Sequence, residues 1–367
     1  MEKVRFGIVG MGVIGLIHGK SLLDGSVPDG ILTAISSRSD SCLPRCREAF
    51  GCDLPFFTDY HEMFRSGLID AVIIATPHKF HPEQVIAAFK NGLHVMVEKP
   101  AGIDPQSVEE MNRAAAQSGK VFGIMFNIRT EPVYQKLREL VQGGQLGRLK
   151  RIGWTITDWY RCDPYYASSS WRASWKGEGG GVLINQCSHT LDLWQWMFGV
   201  PDRIQAFCSF GKYHPIETED DVTAYMEYNS GVTGTLITST GELPGTNRLE
   251  IAADNGKLVF EDGKIHLYQA ECPEPEYRKL DRKPYDQKVP CTVREIPVEG
   301  TASWRAGILE NFSSAILRGE PLIARGEDGL GSLRMSCAMV QSAWTGKMVH
   351  IPDDLSAYAE LLRQHQK

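Results

Sequence analysis

Lys99 is the residue of this sequence with the most evident chemistry: it stands between Glu98 and Pro100, at the end of an apolar run that starts at His94. An apolar run that ends in charged side chains is typical of a buried parallel strand whose carboxyl end faces a ligand. An ammonium group at such a position transfers protons more readily, because burial lowers the pKa of an amine. The alternative is a solvated ion pair, which neighbouring charges at strand ends often form.

A second set of polar residues lies on one face of a predicted helix at residues 183–198, after three glycines at residues 179–181. Asn185, His189 and Asp192 fall within about 60° of one another on the helical wheel, opposite an apolar face. The glycines allow a ligand to approach closely, and three aligned polar groups favour a functional site over a structural histidine. These residues are therefore candidate catalytic residues.

A glycine-rich motif of the form G-x-G-x-x-G joins a predicted strand at residues 4–9 to a predicted helix at residues 13–23. In this context the three glycines allow a tight turn, the close approach of a pyrophosphate, and the packing of the helix on the strand. The pyrophosphate is then bound at the helix N-terminus. The motif and the residues that open the helix are predicted to contact a dinucleotide: Gly10, Gly12, Val13, Ile14 and Gly15.

Ser37 and Arg38 follow the second predicted strand, at residues 31–36, where NAD-binding proteins usually place an Asp or Glu on the ribose hydroxyls. Hydroxyl and guanidinium groups suit a 2′-phosphate, so the sequence favours NADP over NAD. NAD stays open, because Arg38 could instead stack on the adenine and Asp40 could reach the ribose.

Strands and helices alternate up to residue 118, which predicts a Rossmann domain with a doubly wound parallel sheet over residues 1–127. Segments that leave such a sheet at its carboxyl edge meet at one ligand crevice. His81 has two interpretations of equal weight: a contact at this ligand site, or a structural hydrogen bond from its ring to the backbone. The predicted cofactor contacts at this edge are Thr76, Pro77, His81, Glu98, Lys99 and Asn127.

Residues 128–367 form a second predicted domain, in which one helix is followed by amphipathic strands with short turns. This pattern indicates an α+β domain with a large, mostly antiparallel open sheet. One face of an open sheet needs a cover, so we expect a homodimer or homotetramer formed through this sheet.

Aromatic residues alternate with arginine and lysine between residues 159 and 176. Aromatic faces stack on sugar rings and basic side chains bond hydroxyl groups, so this segment suits a carbohydrate. The alternative is a packed loop or a subunit contact, for which tryptophan and tyrosine are equally suited. The predicted substrate contacts are Lys99, Tyr166, Trp171, Arg172, Asn185 and His189.

The composition excludes several classes of protein. The chain has 367 residues, 42% hydrophobic and 23% charged, as expected of a soluble protein with two domains. A net charge of -6 without a basic tract predicts that no nucleic acid binds. The sequence has neither a membrane-spanning apolar run nor a signal-peptide core, which predicts a cytoplasmic protein. The nine cysteines are scattered without the spacing of a metal site, so we expect reduced thiols and no metal.

Taken together, these residues resemble the Gfo/Idh/MocA family of nicotinamide-dependent sugar oxidoreductases, which includes glucose-fructose oxidoreductase and inositol dehydrogenase. The resemblance covers nearly the whole chain and implies a Rossmann domain followed by an open-sheet domain. The segments that carry it are the glycine motif at residues 10–15, Ala75-Thr76-Pro77 with His81, Glu98-Lys99-Pro100, the turn at residues 143–147 and the helix at residues 179–192.

The resemblance also implies roles for particular residues. Lys99 is the active-site lysine, its bond to Pro100 is cis, His189 is the acid/base histidine, and Asp192 is a further residue of the site. Dehydrogenases of the family typically carry an aspartate four residues before the histidine, where this chain has Asn185. A neutral amide orients an imidazole without stabilising its positive charge. Either the family tolerates this exchange, or Lys99 or Asp192 takes more of the proton transfer.

The sequence thus predicts hydride transfer from a ring carbinol to C4 of the nicotinamide, with His189 as general base and Lys99 polarising the same oxygen. The reverse reaction reduces a ketone. Two functions of other classes stay open. A glycosidase that oxidises its sugar transiently and retains NAD(H) needs no glutamate pair. A non-catalytic regulator that senses the nucleotide is compatible with Asn185, although Lys99 and His189 argue against it.

Overall fold

The computed structural model describes residues 3–280, 285 and 290–366. The chain forms two compact units: the first comprises Met1–Glu131, Lys176–Gly179 and Ala302–Leu333, and the second Pro132–Trp175, Gly180–Thr301 and Arg334–Lys367. Within the described ranges, no helix combines the length and the apolar character that crossing a membrane requires.

Strands and helices follow one another along both units. The strands are β1 (Val4–Val9), β2 (Gly30–Ser36), β3 (Phe56–Phe57), β4 (Ala71–Ile74), β5 (His94–Val97), β6 (Phe122–Ile124), β7 (Leu149–Ile156), β8 (Arg203–Phe210), β9 (Glu219–Glu227), β10 (Thr233–Ser239), β11 (Asn247–Ala253), β12 (Gly256–Glu261), β13 (Lys264–Ala270), β14 (Cys291–Ile296) and β15 (Val349–His350). The helices are α1 (Val13–Leu23), α2 (Leu43–Phe50), α3 (Tyr60–Arg65), α4 (His81–Lys90), α5 (Pro105–Ser118), α6 (Pro132–Gln142), α7 (Asp163–Ala167), α8 (Ser188–Phe198), α9 (Glu274–Tyr277), α10 (Trp304–Arg318), α11 (Gly329–Thr345) and α12 (Tyr358–His365).

A six-stranded sheet with the order β3-β2-β1-β4-β5-β6 forms the centre of the first unit, and all its pairings are parallel. Its strands are short apolar runs, and β4 is buried over its whole length because both faces of the sheet are covered. The strand order reverses between β1 and β4, which creates a ligand crevice at the carboxyl ends of the strands. The predicted Rossmann sheet is confirmed.

A nine-stranded sheet forms the second unit, with the order β14-β13-β12-β11-β7-β10-β9-β8-β15. Its pairings are antiparallel except that between β7 and β10. On one face Trp154 of β7 stacks on Trp194 of α8, with 6.4 Å between ring centroids. Gly234 of β10 leaves room for the ring of Trp194. The predicted mostly antiparallel open sheet is confirmed.

Residues 302–333, which the sequence-based division assigns to the second domain, pack into the first unit instead. The ring of Phe312 in α10 lies 6.1 Å from that of Phe6 in β1, and Arg129 donates to Asp328 at 2.8 Å. The second contact joins residues 199 positions apart in the chain. Sequence order therefore does not reveal this return of the chain to the first sheet.

The helix predicted at residues 183–198 begins later than expected, at Ser188, and the residues before it form turns. The buried carboxylate of Glu219 accepts the N–H groups of Gly181 and Leu183, at 2.9 and 3.1 Å. A Cβ on Gly181 would lie 2.0 Å from the carbonyl oxygen of Glu219, so the last glycine of the run is required for this approach. Asn185 therefore lies in a turn, whereas His189 lies in the first turn of α8.

Candidate functional site

The glycine motif lies between β1 and α1, and steric contacts explain its glycines. Gly10 has a φ of +100°, and a Cβ there would lie 2.5 Å from the carbonyl oxygen of Ala75. A Cβ on Gly15 would lie 2.0 Å from the carbonyl oxygen of Gly10, so only glycine lets α1 approach the turn. Apart from Gly12 and its two chain neighbours, no heavy atom in the described part of the chain lies within 4 Å of such a Cβ on Gly12. The turn thus leaves open space directly before α1.

The first turn of α1 borders this space. It consists of Val13, Ile14, Gly15 and Leu16, and Val13 is 72% exposed. The first N–H groups of a helix have no acceptor within the helix, and the helix dipole adds positive potential there. Uncharged side chains and N–H groups without an acceptor in the helix fit the diphosphate of a dinucleotide.

Ser37 and Arg38 follow β2 at the carboxyl edge of the sheet. The N–H of Ser37 donates to the carbonyl oxygen of Phe57 at 3.1 Å, which fixes the turn. The side chain of Arg38 is exposed, and within the residues that the structure describes it makes no hydrogen bond or ion pair. Its guanidinium group is therefore available to a ligand at this edge.

A buried carboxylate holds the backbone at Lys99. One oxygen of Glu98 accepts the N–H of Lys99 at 3.1 Å, and the other lies 2.7 Å from Nε2 of His18, which is fully buried in α1. Burial by itself raises the pKa of Glu98, but the hydrogen bond and charge interaction with His18, together with the charges of Lys99 and Arg305, keep that pKa below its ordinary value. The Lys99–Pro100 bond is cis, as the resemblance implies. Sequence reasoning missed His18.

His81 opens α4 and is fully buried. Its Nδ1 lies 2.9 Å from the carbonyl oxygen of Pro100, and its Nε2 lies 2.8 Å from that of Thr76. Burial lowers the pKa of His81, and the two carbonyl groups oppose that shift. The imidazole therefore joins the segments that follow β4 and β5, in agreement with the structural alternative considered for this residue.

Pro77 and Asn127 complete the predicted cofactor set. Pro77 follows β4, and Asn127 begins a short 3-10 helix after β6 and is 4% exposed. Because the strands are parallel, the segments after β1, β2, β4, β5 and β6 lie at one edge of the sheet. The fold thus brings the predicted cofactor residues to the same edge.

In the second unit the candidate catalytic residues differ in exposure. Asn185 and His189 are half-buried and reach the surface, whereas Asp192 is 1% exposed. Asp192 accepts a hydrogen bond from Nε2 of Gln195 at 3.1 Å, one turn further along α8. The predicted helical face therefore does not form as expected, because Asn185 precedes α8; Asn185 and His189 share partial exposure, while Asp192 is enclosed.

Tyr165 in α7, which sequence reasoning did not select, is the centre of a polar cluster. Its Oη lies 2.7 Å from Nη1 of Arg172 and 3.1 Å from the amide nitrogens of both Asn185 and Gln186. The guanidinium groups of Arg172 and Arg161 lie 4.4 and 5.0 Å from the centre of its ring. Asn185, which stands four residues before His189, thus donates a hydrogen bond to a tyrosine hydroxyl. The only sequence signal was that Tyr165 lies within the aromatic segment.

The other predicted substrate residues have different surroundings. Tyr166 donates from its Oη to Oγ1 of Thr240 at 3.0 Å, and its ring lies 4.9 Å from that of His214. Burial raises the pKa of Tyr166 to about 12, so its phenol stays a donor at neutral pH. Trp171 lies 5.0 Å from the guanidinium group of Arg172. Arg172 and Trp171 therefore belong to the cluster around Tyr165, whereas Tyr166 contacts the segment after β10.

Two family models match this chain. Residues 4–126 match the model described as an oxidoreductase family with an NAD-binding Rossmann fold, and residues 134–259 match the GFO/IDH/MocA C-terminal domain. The two matches correspond to the six-stranded sheet and to the larger part of the nine-stranded sheet.

Several known proteins are similar to this chain over most of its length. Myo-inositol 2-dehydrogenase of Thermotoga maritima is 25% identical over 267 residues, which cover 71% of this chain and 75% of that protein. Levoglucosan dehydrogenase of Pseudarthrobacter phenanthrenivorans is 23% identical and covers 96% and 99%. The structure of the WlbA dehydrogenase from Bordetella pertussis, in complex with NADH and UDP-GlcNAcA, has a TM-score of 0.80 at 24% identity and covers 96% and 98%. This structural likeness shows a shared fold.

Proposed function

Because this chain belongs to the Gfo/Idh/MocA oxidoreductase family, we propose that it transfers a hydride between a hydroxyl-bearing carbon of a sugar or polyol and C4 of a nicotinamide. The observation that carries the proposal is Lys99 at the carboxyl end of β5, with its backbone fixed by the buried carboxylate of Glu98. The dehydrogenase names of the relatives favour net hydride transfer over a glycosidase that oxidises its sugar only transiently.

The residues of this chain have the following roles in the proposed reaction. The turn at Gly12 and the N-terminus of α1 bind the diphosphate, and the bound nicotinamide supplies the hydride acceptor. Lys99 polarises the oxygen of the reacting hydroxyl, and His189 accepts its proton as general base. In the direction of ketone reduction, the same two groups return the proton and stabilise the developing alkoxide.

The test is the absorbance of reduced nicotinamide while the protein meets a panel of inositols, aldoses and glycosides, each with NAD and with NADP. We expect net reduction with at least one substrate, and a fall in kcat of about 10²–10⁴ in both Lys99→Ala and His189→Ala. Lys90→Ala, at an exposed position that ends α4, is the matched control and should keep full activity.

Bound cofactor with no net reduction across the panel would contradict the proposal. Release of aglycone from the same glycosides would then identify a glycosidase, and its absence would favour a nucleotide-sensing regulator.

For the cofactor we propose NADP, with Arg38 on the 2′-phosphate and the hydroxyl of Ser37 beside it. The support is the exposed guanidinium of Arg38, which has no ion-pair partner among the described residues. Arg38→Ala should raise the KM for NADP at least about 10-fold and leave the KM for NAD unchanged. A lower KM for NAD than for NADP in the unaltered protein would contradict this assignment.

We also propose a homo-oligomer, formed through the open face of the nine-stranded sheet. Phe207 is 74% exposed and Ile237 37%, and both stand opposite Thr223 in the strand register, so they share one row on that face. Tyr225, 39% exposed, lies beside this row. Light scattering should give a dimer or tetramer, and Phe207→Glu should give a folded monomer. A monomeric unaltered protein would refute the proposal.

The cytoplasmic location of the protein stays a prediction from the sequence.

A further inference from the structure

Two arginines of the second unit carry positive charge that the described residues do not neutralise. Arg161 and Arg172 flank Tyr165, and neither forms an ion pair within residues 3–280, 285 and 290–366. Among the described residues each makes one side-chain hydrogen bond, Arg161 to the carbonyl oxygen of Tyr160 at 2.8 Å and Arg172 to the hydroxyl of Tyr165 at 2.7 Å. A guanidinium group has five N–H donors, so most donors of this pair remain unused.

Two acidic side chains of the neighbouring segments have other partners. A carboxylate oxygen of Asp163 lies 3.2 Å from Nδ1 of His214. Asp220, which is buried, accepts the three successive backbone N–H groups of residues 212–214, at 2.7 to 3.1 Å. Both carboxylates therefore serve the loop before β9, and the charge of the arginine pair is left for another acceptor.

Hydrogen-bond donors also outnumber acceptors at the hydroxyl of Tyr165. Its oxygen has two lone pairs but is faced by three donors, from Arg172, Asn185 and Gln186. The Nε atoms of Arg161 and Arg172 are buried without an acceptor among the described residues. A buried donor without an acceptor costs free energy, so a ligand that supplies lone pairs would stabilise this cluster.

A carboxylate is the ligand group that fits this balance. It offers about four lone-pair sites and one negative charge, and its plane matches the bidentate geometry of a guanidinium. A sugar hydroxyl offers two lone pairs, no charge and a donor of its own, which adds to the surplus. The cluster holds two monovalent cations, and no lysine of the described part of the chain bonds to it, which suits a singly charged group better than a phosphate dianion.

Asn185 preserves the positive character of the cluster. An aspartate in its place could only accept at Tyr165, and its charge would pair with Arg172 in the absence of any ligand. The amide supplies a further donor and no charge. The residue that departs from the expected pattern thus has a physical role in this cluster.

We propose that Arg161 and Arg172 bind the carboxylate of a sugar acid, such as a uronic acid, and that sugar acids are the substrate class of this protein. The inference rests on the proposed function, because it names the substrate of the same hydride transfer. Arg172, held against Tyr165 next to Asn185, makes the stronger contact, and Arg161 adds charge from the same segment.

Matched substrate pairs test the inference directly. The rate of nicotinamide reduction is measured with D-glucuronate and D-glucose, with D-galacturonate and D-galactose, and with D-glucose 6-phosphate as a separate arm. We expect kcat/KM to be at least about 100-fold higher for the acid of each pair. Equal or higher values for the neutral sugars, or a preference for the phosphate, would overturn the inference.

Three substitutions separate a charge effect from a structural one. Arg172→Gln keeps a donor near Tyr165 but removes the charge, and should lower kcat/KM for the acids at least about 10-fold while neutral sugars change less than about 3-fold. Asn185→Asp should also lower the ratio of acid to neutral activity. Arg363→Gln, at an exposed arginine of α12 that pairs with Glu360, is the matched control and should change neither rate. An equal loss for both substrates in Arg172→Gln would indicate a structural arginine and refute the proposal.

Binding measured without turnover separates this inference from the proposed function. Isothermal titration calorimetry with D-glucuronate, on protein saturated with cofactor, should show binding that Arg172→Gln weakens at least about 10-fold. Such binding without reduction of nicotinamide by any substrate would support the carboxylate site and contradict hydride transfer. Oxidation of neutral sugars with no binding of D-glucuronate would support hydride transfer and overturn the carboxylate site.

Discussion

The carboxyl edge of the six-stranded sheet and the aromatic segment at residues 159–176 are both candidate ligand sites, but they are built in opposite ways. At the sheet edge, protein groups satisfy one another: the carboxylate of Glu98 engages His18 and the N–H of Lys99, and His81 lies between two carbonyl oxygens. In the aromatic segment, charges and donors around Tyr165 exceed the acceptors that the described residues supply.

This difference agrees with the ligands that we propose for the two sites. A diphosphate is bound by backbone N–H groups and helix ends, so the sheet edge needs a fixed shape. A particular substrate is selected by side chains whose hydrogen bonds are completed only when it binds. Substitutions at the sheet edge should therefore cost mainly stability and cofactor binding, and substitutions in the aromatic segment mainly substrate affinity.

The largest effect is expected for Gly15→Ala. The added methyl group would lie 2.0 Å from the carbonyl oxygen of Gly10, so α1 must move away from the turn. We expect a loss of about 3 kcal/mol in the free energy of unfolding and no measurable cofactor binding. Urea denaturation and titration with reduced nicotinamide dinucleotide measure the two effects.

Gly12→Ala is the matched control for this substitution. The described part of the chain leaves the space around that Cβ open, so the free energy of unfolding should change by less than about 0.5 kcal/mol while cofactor binding still weakens. Equal destabilisation by both substitutions would show that general strain in the turn, and not the contact between Gly15 and Gly10, determines the stability of this edge.

A smaller effect is expected for Glu98→Gln, about 2 kcal/mol at neutral pH, because the buried anion that interacts with His18 is removed. The pKa of Glu98 in the folded protein is below its ordinary value of 4.5. The stabilisation is therefore present above pH 4.5 and is lost as the pH falls through the folded pKa. Urea denaturation at neutral and acidic pH should show the two proteins converging in acid. A constant difference would exclude the charge of Glu98 as its cause.

The sequence predicts the sheet edge better than the aromatic segment, for a physical reason. Buried parallel strands are short apolar runs and the glycine motif is local, so the predicted bounds of β1 and α1 agree with the structure. His18 was missed because its partner Glu98 lies 80 residues away and a histidine within an apolar helix forms no pattern.

Tyr165 and Tyr166 show where sequence reasoning ends. The two residues are adjacent and chemically identical, yet the hydroxyl of Tyr165 meets Arg172 and Asn185, while that of Tyr166 meets Thr240. Which tyrosine faces which partner depends on the path of the chain around α7 and on the turn before α8. Neither is encoded in a local pattern, so the substrate residues of this segment stay predictions until they are tested.

The same pair of tyrosines provides a direct test of the comparison. Tyr165→Phe removes the acceptor shared by three donors, and Tyr166→Phe removes a single bond to Thr240, so each should cost about 1 kcal/mol in the free energy of unfolding. Only Tyr165→Phe should raise the KM for substrate, by about 10-fold, because it releases Arg172 from its position. Equal KM values in the two variants would separate the cluster from substrate binding.

The smallest effect is expected for His94→Asn, at the opposite end of β5 from Glu98. Nδ1 of His94 accepts the N–H of Val121 at 2.9 Å, and burial, with a contribution from Lys120, lowers its pKa from 6.5 to about 4. This stabilisation is present above pH 6.5 and is lost as the pH falls through the folded pKa, because the unfolded chain then binds the extra proton. Asparagine can accept the same N–H without titrating. Between neutral pH and about pH 5, the free energy of unfolding should therefore fall by about 1 kcal/mol more in the unaltered protein than in the variant. This value is reduced for the partial exposure of the imidazole ring. Urea denaturation at several pH values measures this difference. If both proteins lost the same free energy of unfolding in acid, His94 would not contribute to the acid sensitivity of β5. That sensitivity would then arise at the carboxyl end of the strand, where Glu98 fixes the backbone of Lys99.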